Sequence, residues 1–234
     1  GAAPTHFWLP EVMQGSTLAT TLLITTWQKI APITLLYMIS NHTEPIITLT
    51  IGLLSIMVGG WGGFNQTQVR KMMAYSSIAH LGWTMTAISI MPHIALTNII
   101  IYMTITTPFF ILLMTTSTKT LQSMTTTWAY SPSTTIILML LLLSMADLPP
   151  LTGFTPKLLN FNNLVTHKMT LTATIMALLS LLTLTFYLPT TNLLTSTPSP
   201  TTTQSTTLWR LKPYQNQITT TLTPISLMKI TMKP

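Results

Sequence analysis

The chain has 234 residues, of which only 6% are charged, whereas roughly 25% of a soluble globular protein is charged. Ten Lys and Arg stand against three Asp and Glu, which gives a formal net charge of +7. So few ionic groups cannot cover a water-facing surface, and this excludes a soluble domain. The basic residues are scattered singly or in pairs, so the positive charge does not indicate a nucleic-acid-binding protein. The lack of Cys excludes disulfides and thiolate metal sites in the chain.

The first residues lack the features expected at the start of a protein. Gly1 is not an initiator Met, and no secretory signal pattern follows it. Prolines at positions 4 and 10 predict a short or broken helical piece over residues 1–14. We therefore expect the chain to be the C-terminal part of a longer protein.

Long apolar stretches dominate the rest of the chain. A membrane helix needs about 20 mostly apolar residues to cross roughly 30 Å of hydrocarbon. Thr, about a fifth of the residues, fits in such helices because its hydroxyl can bond to a backbone carbonyl. The sequence predicts an all-α polytopic transmembrane helix bundle that forms a single membrane domain. Its helix windows are 16–39, 46–64, 72–91, 94–117, 133–160, 170–189 and, least securely, 217–233, with a Thr/Ser/Pro-rich loop at 190–216.

The basic residues of the loops predict the orientation of the bundle, because Lys and Arg concentrate on the cytoplasmic side of a membrane or its organellar equivalent. If the helices alternate in direction, one side holds Arg70, Lys71, Lys119, Arg210 and Lys212. The other side holds Lys168, with Lys229 and Lys233 if the last window crosses. The first side is therefore the predicted inner side.

Lys29 lies near the middle of the window 16–39. A lysine at the centre of a 30 Å slab is roughly 15 Å from the headgroups, which its side chain cannot span. The Lys29 amine must therefore face a polar interior or lose its charge. Pro32 leaves the carbonyl of Gln28 without its helical partner beside it. We favour a functional role for Lys29, and the alternative is a packing role in which it pairs with a carboxylate.

Two adjacent prolines, Pro149 and Pro150, cannot lie inside one continuous helix, so the window 133–160 is expected to contain an interruption. Broken helices occur at membrane depth only where they line a protein interior or an aqueous cavity. Asp147 precedes the interruption and Lys157 follows it. The sequence leaves two alternatives equally open: a helix broken within the membrane, or a plain loop with Asp147 and Lys157 in water.

His80 and Glu11 complete the candidate ionisable residues. His80 lies near the centre of 72–91 and shares a helix face with Ser76 and Ser77. An imidazole can relay protons near neutral pH; the alternative is a histidine satisfied by a neighbouring hydroxyl. Glu11 follows Pro10 at a helix start, where it could relay protons or interact favourably with the helix dipole.

Four stretches carry a resemblance to a known family: residues 3–12, 26–32, 59–83 and 148–154. The stretch 59–83 is long and contains Tyr75-Ser76-Ser77-Ile78-Ala79-His80. With these motifs the chain resembles the antiporter-like membrane-arm subunits of mitochondrial NADH–ubiquinone oxidoreductase, respiratory complex I. The chain departs from the family pattern at three places. Ala146-Asp147 stand where Gly-Gly is usual, Leu158 where Trp is usual, and Pro189 where Arg is usual.

The resemblance implies a proton-translocating subunit in the mitochondrial inner membrane, with other membrane-arm subunits and the lipid bilayer as partners. It implies that the relay residues are Lys29, His80 and Lys157. Glu11 and Asp147 are weaker candidates, which rest on their positions in the sequence and not on the resemblance. The chain itself is expected to bind no cofactor and no metal, whereas the whole complex uses NADH, FMN, iron–sulfur clusters and ubiquinone. Two alternatives remain open: a stand-alone cation/proton antiporter, and a structural subunit that does not pump.

Overall fold

The computed structural model describes residues 1–125, 127–130 and 132–196, and within them the chain forms helices and no β-strand. One isolated antiparallel bridge joins Gln68 to Thr120. A single 3₁₀ turn covers Ser40–His42. The α-helices are α1 (Trp8–Gly15), α2 (Leu18–Thr25), α3 (Trp27–Ile39), α4 (Pro45–Gly63), α5 (Val69–Ile90), α6 (Pro92–Thr116), α7 (Leu121–Thr125), α8 (Thr127–Tyr130), α9 (Pro132–Met145), α10 (Phe154–Thr166) and α11 (Thr170–Ser196).

The predicted membrane windows correspond to these helices. In the part of the chain that the structure describes, four segments are long and apolar enough to cross a membrane: 18–42, 45–63, 92–116 and 170–196. Helix α5 has 22 residues, which at 1.5 Å per residue is also long enough to span. Apolar side chains such as Trp27, Met38 and Leu171 are more than 70% exposed. Such a surface suits lipid or neighbouring subunits and confirms the predicted all-α membrane bundle. The last predicted window, 217–233, lies outside the described residues.

The segment predicted as one helix over 16–39 is divided at Thr26. Thr26 has φ −109° and ψ −73°, and it separates α2 from α3. Its hydroxyl donates to the carbonyl of Leu22 at 2.7 Å, so the last turn of α2 keeps a polar partner. Pro32 lies inside α3 without ending it. The division places Lys29 in the first turn of α3, pointing into the bundle.

The window 133–160 is interrupted, as the adjacent prolines predicted. Helix α9 ends at Met145 and α10 begins at Phe154. The end of α9 is a Schellman motif: the N–H of Leu148 donates to the Leu143 carbonyl, and that of Asp147 to the Ser144 carbonyl. Asp147 takes the left-handed position of this motif, with φ 58°. Asp147 is buried, which excludes the alternative of a plain loop with this residue in water.

Helix α11 extends to Ser196, although the sequence predicted an irregular segment from residue 190. The hydroxyls of Thr190 and Thr191 donate to carbonyls within the helix. Leu194 is buried in the core, and the indole N–H of Trp128 donates to its carbonyl at 2.5 Å. Burial of this last part of the helix outweighs the low helix propensity of Pro189 and the threonines. Residues 197–216 of the predicted loop lie outside the described residues.

Helix α5 lies at the centre of the bundle and packs most closely against α4. Glycines on α4 make this approach possible: a Cβ added to Gly59 would lie 2.6 Å from the backbone nitrogen of Ala79. Small residues at such a crossing allow two membrane helices to approach backbone to backbone. The close packing fixes the position of α5, which carries His80.

The positions of the basic residues at the two ends of the bundle agree with the predicted alternation in helix direction. The N–H of Val69 donates to the carbonyl of Lys119, so Arg70, Lys71 and Lys119 lie at the same end. Lys168, in contrast, follows α10, whose last turns lie near Met91 at the opposite end of α5. The other basic residues used for the orientation, Arg210, Lys212, Lys229 and Lys233, lie outside the described residues.

Candidate functional site

Lys29 is buried in the bundle, with 9% of its surface exposed. Its ammonium group donates to the backbone carbonyl of Ser77 at 3.4 Å and to the hydroxyl of Tyr102 at 3.5 Å. It also lies 4.6 Å from the centre of the Tyr102 ring, within the range of a cation–π interaction. Among the described residues Lys29 forms no ion pair. The contacts match the predicted polar interior and disagree with the alternative of a lysine paired with a carboxylate.

Tyr102 connects Lys29 to His80. The rings of His80 and Tyr102 have their centroids 5.0 Å apart. Lys29, Tyr102 and His80 line a common cavity of about 10 Å³, which is close to the space that one water molecule needs. Helices α3, α5 and α6 each contribute one of these side chains. The three side chains therefore border the same water-sized space, and Tyr102 contacts both of the others.

Lys157 and Asp147 form a buried ion pair across the interruption between α9 and α10. Their Nζ and Oδ2 atoms are 2.7 Å apart, and their side chains are 7% and 4% exposed, respectively. The Lys157 ammonium lies 5.2 Å from the centre of the Trp83 ring. A buried charge is tolerated when it is paired and hydrogen-bonded. The sequence had placed these two residues on either side of the interruption but had not paired them.

The interruption itself holds the Asp147 carboxylate in place. A Cβ added to Gly153 would collide with the Ser144 carbonyl oxygen and would lie 2.8 Å from Oδ1 of Asp147. Only a residue without a side chain lets the returning chain pass so close to the end of α9. Gly153 therefore brings α10, with Lys157 in its first turn, within reach of Asp147.

His80 also borders a cavity that Lys157 borders. A cavity of about 20 Å³ is bordered by His80, Tyr102, Asp147 and Lys157 among others, and this is room for about one water molecule. A second space next to it is lined by His80, Asp147, Lys157 and Tyr187. His80 therefore borders the cavity of Lys29 on one side and that of Lys157 on the other. The histidine lies between the two lysines.

Three buried polar side chains at the 20 Å³ cavity lack a protein partner among the described residues. They are Asn98 on α6, with both amide atoms unpaired, Asn160 on α10, through Nδ2, and Trp83 on α5, through Nε1. Each is at most 5% exposed. Buried polar groups are normally satisfied, and bound water is the usual partner where protein provides none. The cavity has the donors, the acceptor and the room for such a water.

The serine and threonine hydroxyl groups near the site donate to carbonyls of their own helices. Ser76 donates to the Met73 carbonyl and Ser77 to the Ala74 carbonyl, at 2.8 and 2.7 Å. Ser55 and Thr86 likewise donate within their own helices. Their hydroxyl protons are therefore already engaged in hydrogen bonds within the helices. The amides and the indole contribute the free donors of the site.

Glu11 lies apart from this cluster. It is exposed and occupies the first turn of α1, where an acidic residue interacts favourably with the helix dipole. The structure thus brings together Lys29, His80, Lys157 and Asp147 but not Glu11. Sequence reasoning missed Tyr102, Asn98 and Asn160. A signal existed for the last of them, because Asn160 follows Lys157 by three residues and shares its helix face.

Comparison with known proteins places this geometry in a family. The profile of the NADH:quinone oxidoreductase/Mrp antiporter transmembrane family matches residues 1–183. NADH-ubiquinone oxidoreductase chain 2 of Polypterus ornatipinnis is 48% identical over the whole chain, which spans 67% of that relative.

Solved structures share the fold. A chain of respiratory complex I from Thermus thermophilus with bound aureothin gives a TM-score of 0.78 at 23% identity, covering 97% of this chain and 53% of that one. A chain of the Mrp complex from Dietzia sp. DQ12-45-1b gives 0.69 at 17% identity, covering 87% and 41%. With its apolar helices and its mitochondrial relatives, the chain is a multi-pass protein of the mitochondrial inner membrane. It belongs to the NADH:quinone oxidoreductase/Mrp antiporter family of membrane proteins, and within that family to the NADH-ubiquinone oxidoreductase chain 2 proteins.

Proposed function

We propose that this chain translocates protons as a membrane-arm subunit of NADH:ubiquinone oxidoreductase. Family membership supports the assembly, since the relatives bear that enzyme's name. The redox chemistry, with NADH, FMN, iron–sulfur clusters and ubiquinone, belongs to other subunits. The part of this chain is to move protons between buried groups while its apolar outer surface contacts lipid and neighbouring subunits.

The observation that carries the proposal is the position of His80 between two buried lysines. His80 shares one small cavity with Lys29 and one with Lys157. A buried ionisable group at membrane depth costs free energy and is typical of ion and proton pathways. Two such lysines with a histidine between them form a sequence of proton donors and acceptors, in which the histidine borders a water-sized cavity with each lysine.

The proposed path starts at Lys29. A change of charge elsewhere in the complex alters the electrostatic environment of its ammonium, which then releases a proton to water beside Tyr102 and His80. His80 accepts it on one ring nitrogen and releases one from the other. Water held by Asn98, Asn160 and Trp83 passes it on to the pair of Lys157 and Asp147. In this scheme Glu11 has no direct part.

One observation bears on the two rival functions. The likeness to the Mrp complex chain concerns the fold, which a stand-alone cation/proton antiporter would share. A structural subunit that does not pump would also share it. What favours pumping is the connected buried path, because a subunit that only joins its neighbours has no need for an unpaired buried lysine such as Lys29.

The test is the number of protons pumped per electron by the assembled complex. With Lys29→Ala in the full-length chain, we expect this ratio to fall, measured in sealed vesicles against the rate of NADH oxidation. Lys119→Ala is the matched control, since Lys119 is an exposed loop lysine. An unchanged ratio with Lys29→Ala would show that Lys29 has no central role. Cation exchange by the chain reconstituted alone would favour the antiporter instead.

A further inference from the structure

Asp147 is unlike the other acidic residues of the chain. Of the three Asp and Glu in the sequence, Glu11 and Glu44 are exposed and Asp147 alone is buried. The backbone at this position has a positive φ of 58°, the left-handed region that favours Gly. This chain thus keeps an acid where the fold prefers glycine, and the acid contacts the last lysine of the path.

Several titratable groups surround the Asp147 carboxylate. Lys157 on α10 lies 2.7 Å from it. His80 on α5 and Tyr187 on α11 line the same space. Among the described residues no second carboxylate faces this space, so Asp147 alone balances the Lys157 ammonium there. Its negative charge is the counter-ion of the buried ammonium, and removing one charge of a buried ion pair is costly.

We propose that Asp147 acts as a latch on Lys157: the ionised carboxylate pairs with the ammonium, and protonation of Asp147 ends this pairing and allows Lys157 to release its proton. This inference rests on the proposed function, in which protons reach Lys157 from His80. A proton from the His80 side, carried by the cavity water, binds a carboxylate oxygen of Asp147 and forms a neutral carboxylic acid. Lys157, still an ammonium, loses its counter-ion.

The cycle then closes, and the number of protons taken up equals the number released. The released Lys157 gives one proton to water at Asn160. The amide nitrogen of Asn160 has no partner among the described residues, and the residue also lines a second space that extends to Met91 at the end of α5. The carboxylic acid of Asp147 next passes its proton to the neutral Lys157 amine. The ion pair is restored, and one proton has entered and one has left. The interruption between α9 and α10 holds the two groups in contact throughout.

The test compares variants of Asp147 in the assembled complex. Asp147→Asn has nearly the same shape as the protonated acid but cannot bind or release a proton. We expect its ratio of pumped protons to electrons to fall to the value found with Lys157→Ala. The double variant Asp147→Asn with Lys157→Ala should pump no less than either single variant, since both groups act in one step. Glu44→Gln, at an exposed acid, is the matched control and should leave the ratio unchanged.

Infrared difference spectra of the working complex provide a second readout that a packing role would not produce. We expect a carboxylic-acid C=O band that appears during turnover with the native chain and is absent with Asp147→Asn. If Asp147→Asn prevents assembly, Asp147→Gly carries the test, because Gly suits the positive φ. An unchanged pumping ratio in the assembled variant, or a carboxylic-acid band that persists with Asp147→Asn, overturns the proposal. A lowered ratio with Lys29→Ala beside an unchanged one with Asp147→Asn would reject the latch and leave the proposed function intact.

Discussion

The Lys29 ammonium lies over the ring of Tyr102, 4.6 Å from its centre, and at the same time 3.5 Å from its hydroxyl. The aromatic face and the hydroxyl offer the charge partial compensation without a carboxylate. A full counter-ion would hold the proton on Lys29 firmly, whereas a ring and a carbonyl stabilise it only in part. Lys29 and Lys157 are therefore different sites: one is free to change its charge, and the other is paired with Asp147.

This contact predicts different outcomes for two substitutions of Tyr102. Tyr102→Phe keeps the ring over Lys29 and removes the hydroxyl, so we expect a moderate fall in protons pumped per electron. Tyr102→Leu removes the ring as well and loses a cation–π interaction worth about 2 kcal/mol in a desolvated site. The fall should then be larger, and the amount of assembled complex should drop. Native gels give the assembly and vesicle assays give the ratio. Equal pumping by both variants and the native chain would contradict a role for Tyr102.

The unpaired amide of Asn98 predicts that stability and pumping change in opposite directions. Among the described residues no protein group bonds to this amide, so Asn98→Leu breaks no hydrogen bond within the protein and should leave the thermal stability of the complex unchanged or raise it. The same change removes a partner of the cavity water, and the pumping ratio should fall. A loss of stability with normal pumping would show that the amide serves packing.

Asn160 allows a matched comparison on one helix. Asn160→Leu should lower the pumping ratio, because Asn160 is buried at the cavity next to Lys157. Asn162→Leu, two residues further along α10 and exposed, should leave the ratio as it is. The same vesicle assay serves both variants. Similar effects of the two substitutions would argue against water bound at Asn160.

The crossing of α4 and α5 predicts a strong effect of a single methyl group. Gly59→Ala forces a Cβ against the Ala79 backbone, and overpacking of this kind costs about 1–3 kcal/mol. We expect a lower unfolding temperature of the complex and less assembled protein. Gly15→Ala is the control, because a methyl group added there would meet no packed neighbour within 4 Å. If both substitutions were equally tolerated, the close contact of α4 with α5 would be wrong.

How much of this could be predicted from the sequence depends on the residue. The depth of Lys29 followed from the length of its apolar window alone, since a membrane fixes how far a side chain must reach. The division at Thr26 did not, because neither Gly nor a suitably placed Pro marks it. The helix past Pro189 was missed for a related reason: burial of Leu194 and its neighbours outweighs local propensity, and burial depends on distant helices.

The site shows the same contrast. Asp147 and Lys157 were found as ionisable residues beside a proline pair, and the sequence left open whether they face water or protein. Their pairing depends on a turn that Gly153 alone permits, and the spacing of residues does not reveal how closely that turn returns to α9. Tyr102 and Asn98 looked like ordinary residues of an apolar helix. They become part of the site because α6 packs against α5 at His80, a contact between residues far apart in the sequence.

The most direct test of the account is the pumping ratio of a double variant, Lys29→Ala with Lys157→Ala, compared with each single variant in the assembled complex. Groups that act in series on one path are not additive, since interrupting the path once already stops it. The account predicts that each single variant lowers the number of protons pumped per electron and that the double variant lowers it no further. A double variant that loses the sum of the two single effects, or that pumps as many protons as the native complex, would contradict a single path from Lys29 through His80 to Lys157.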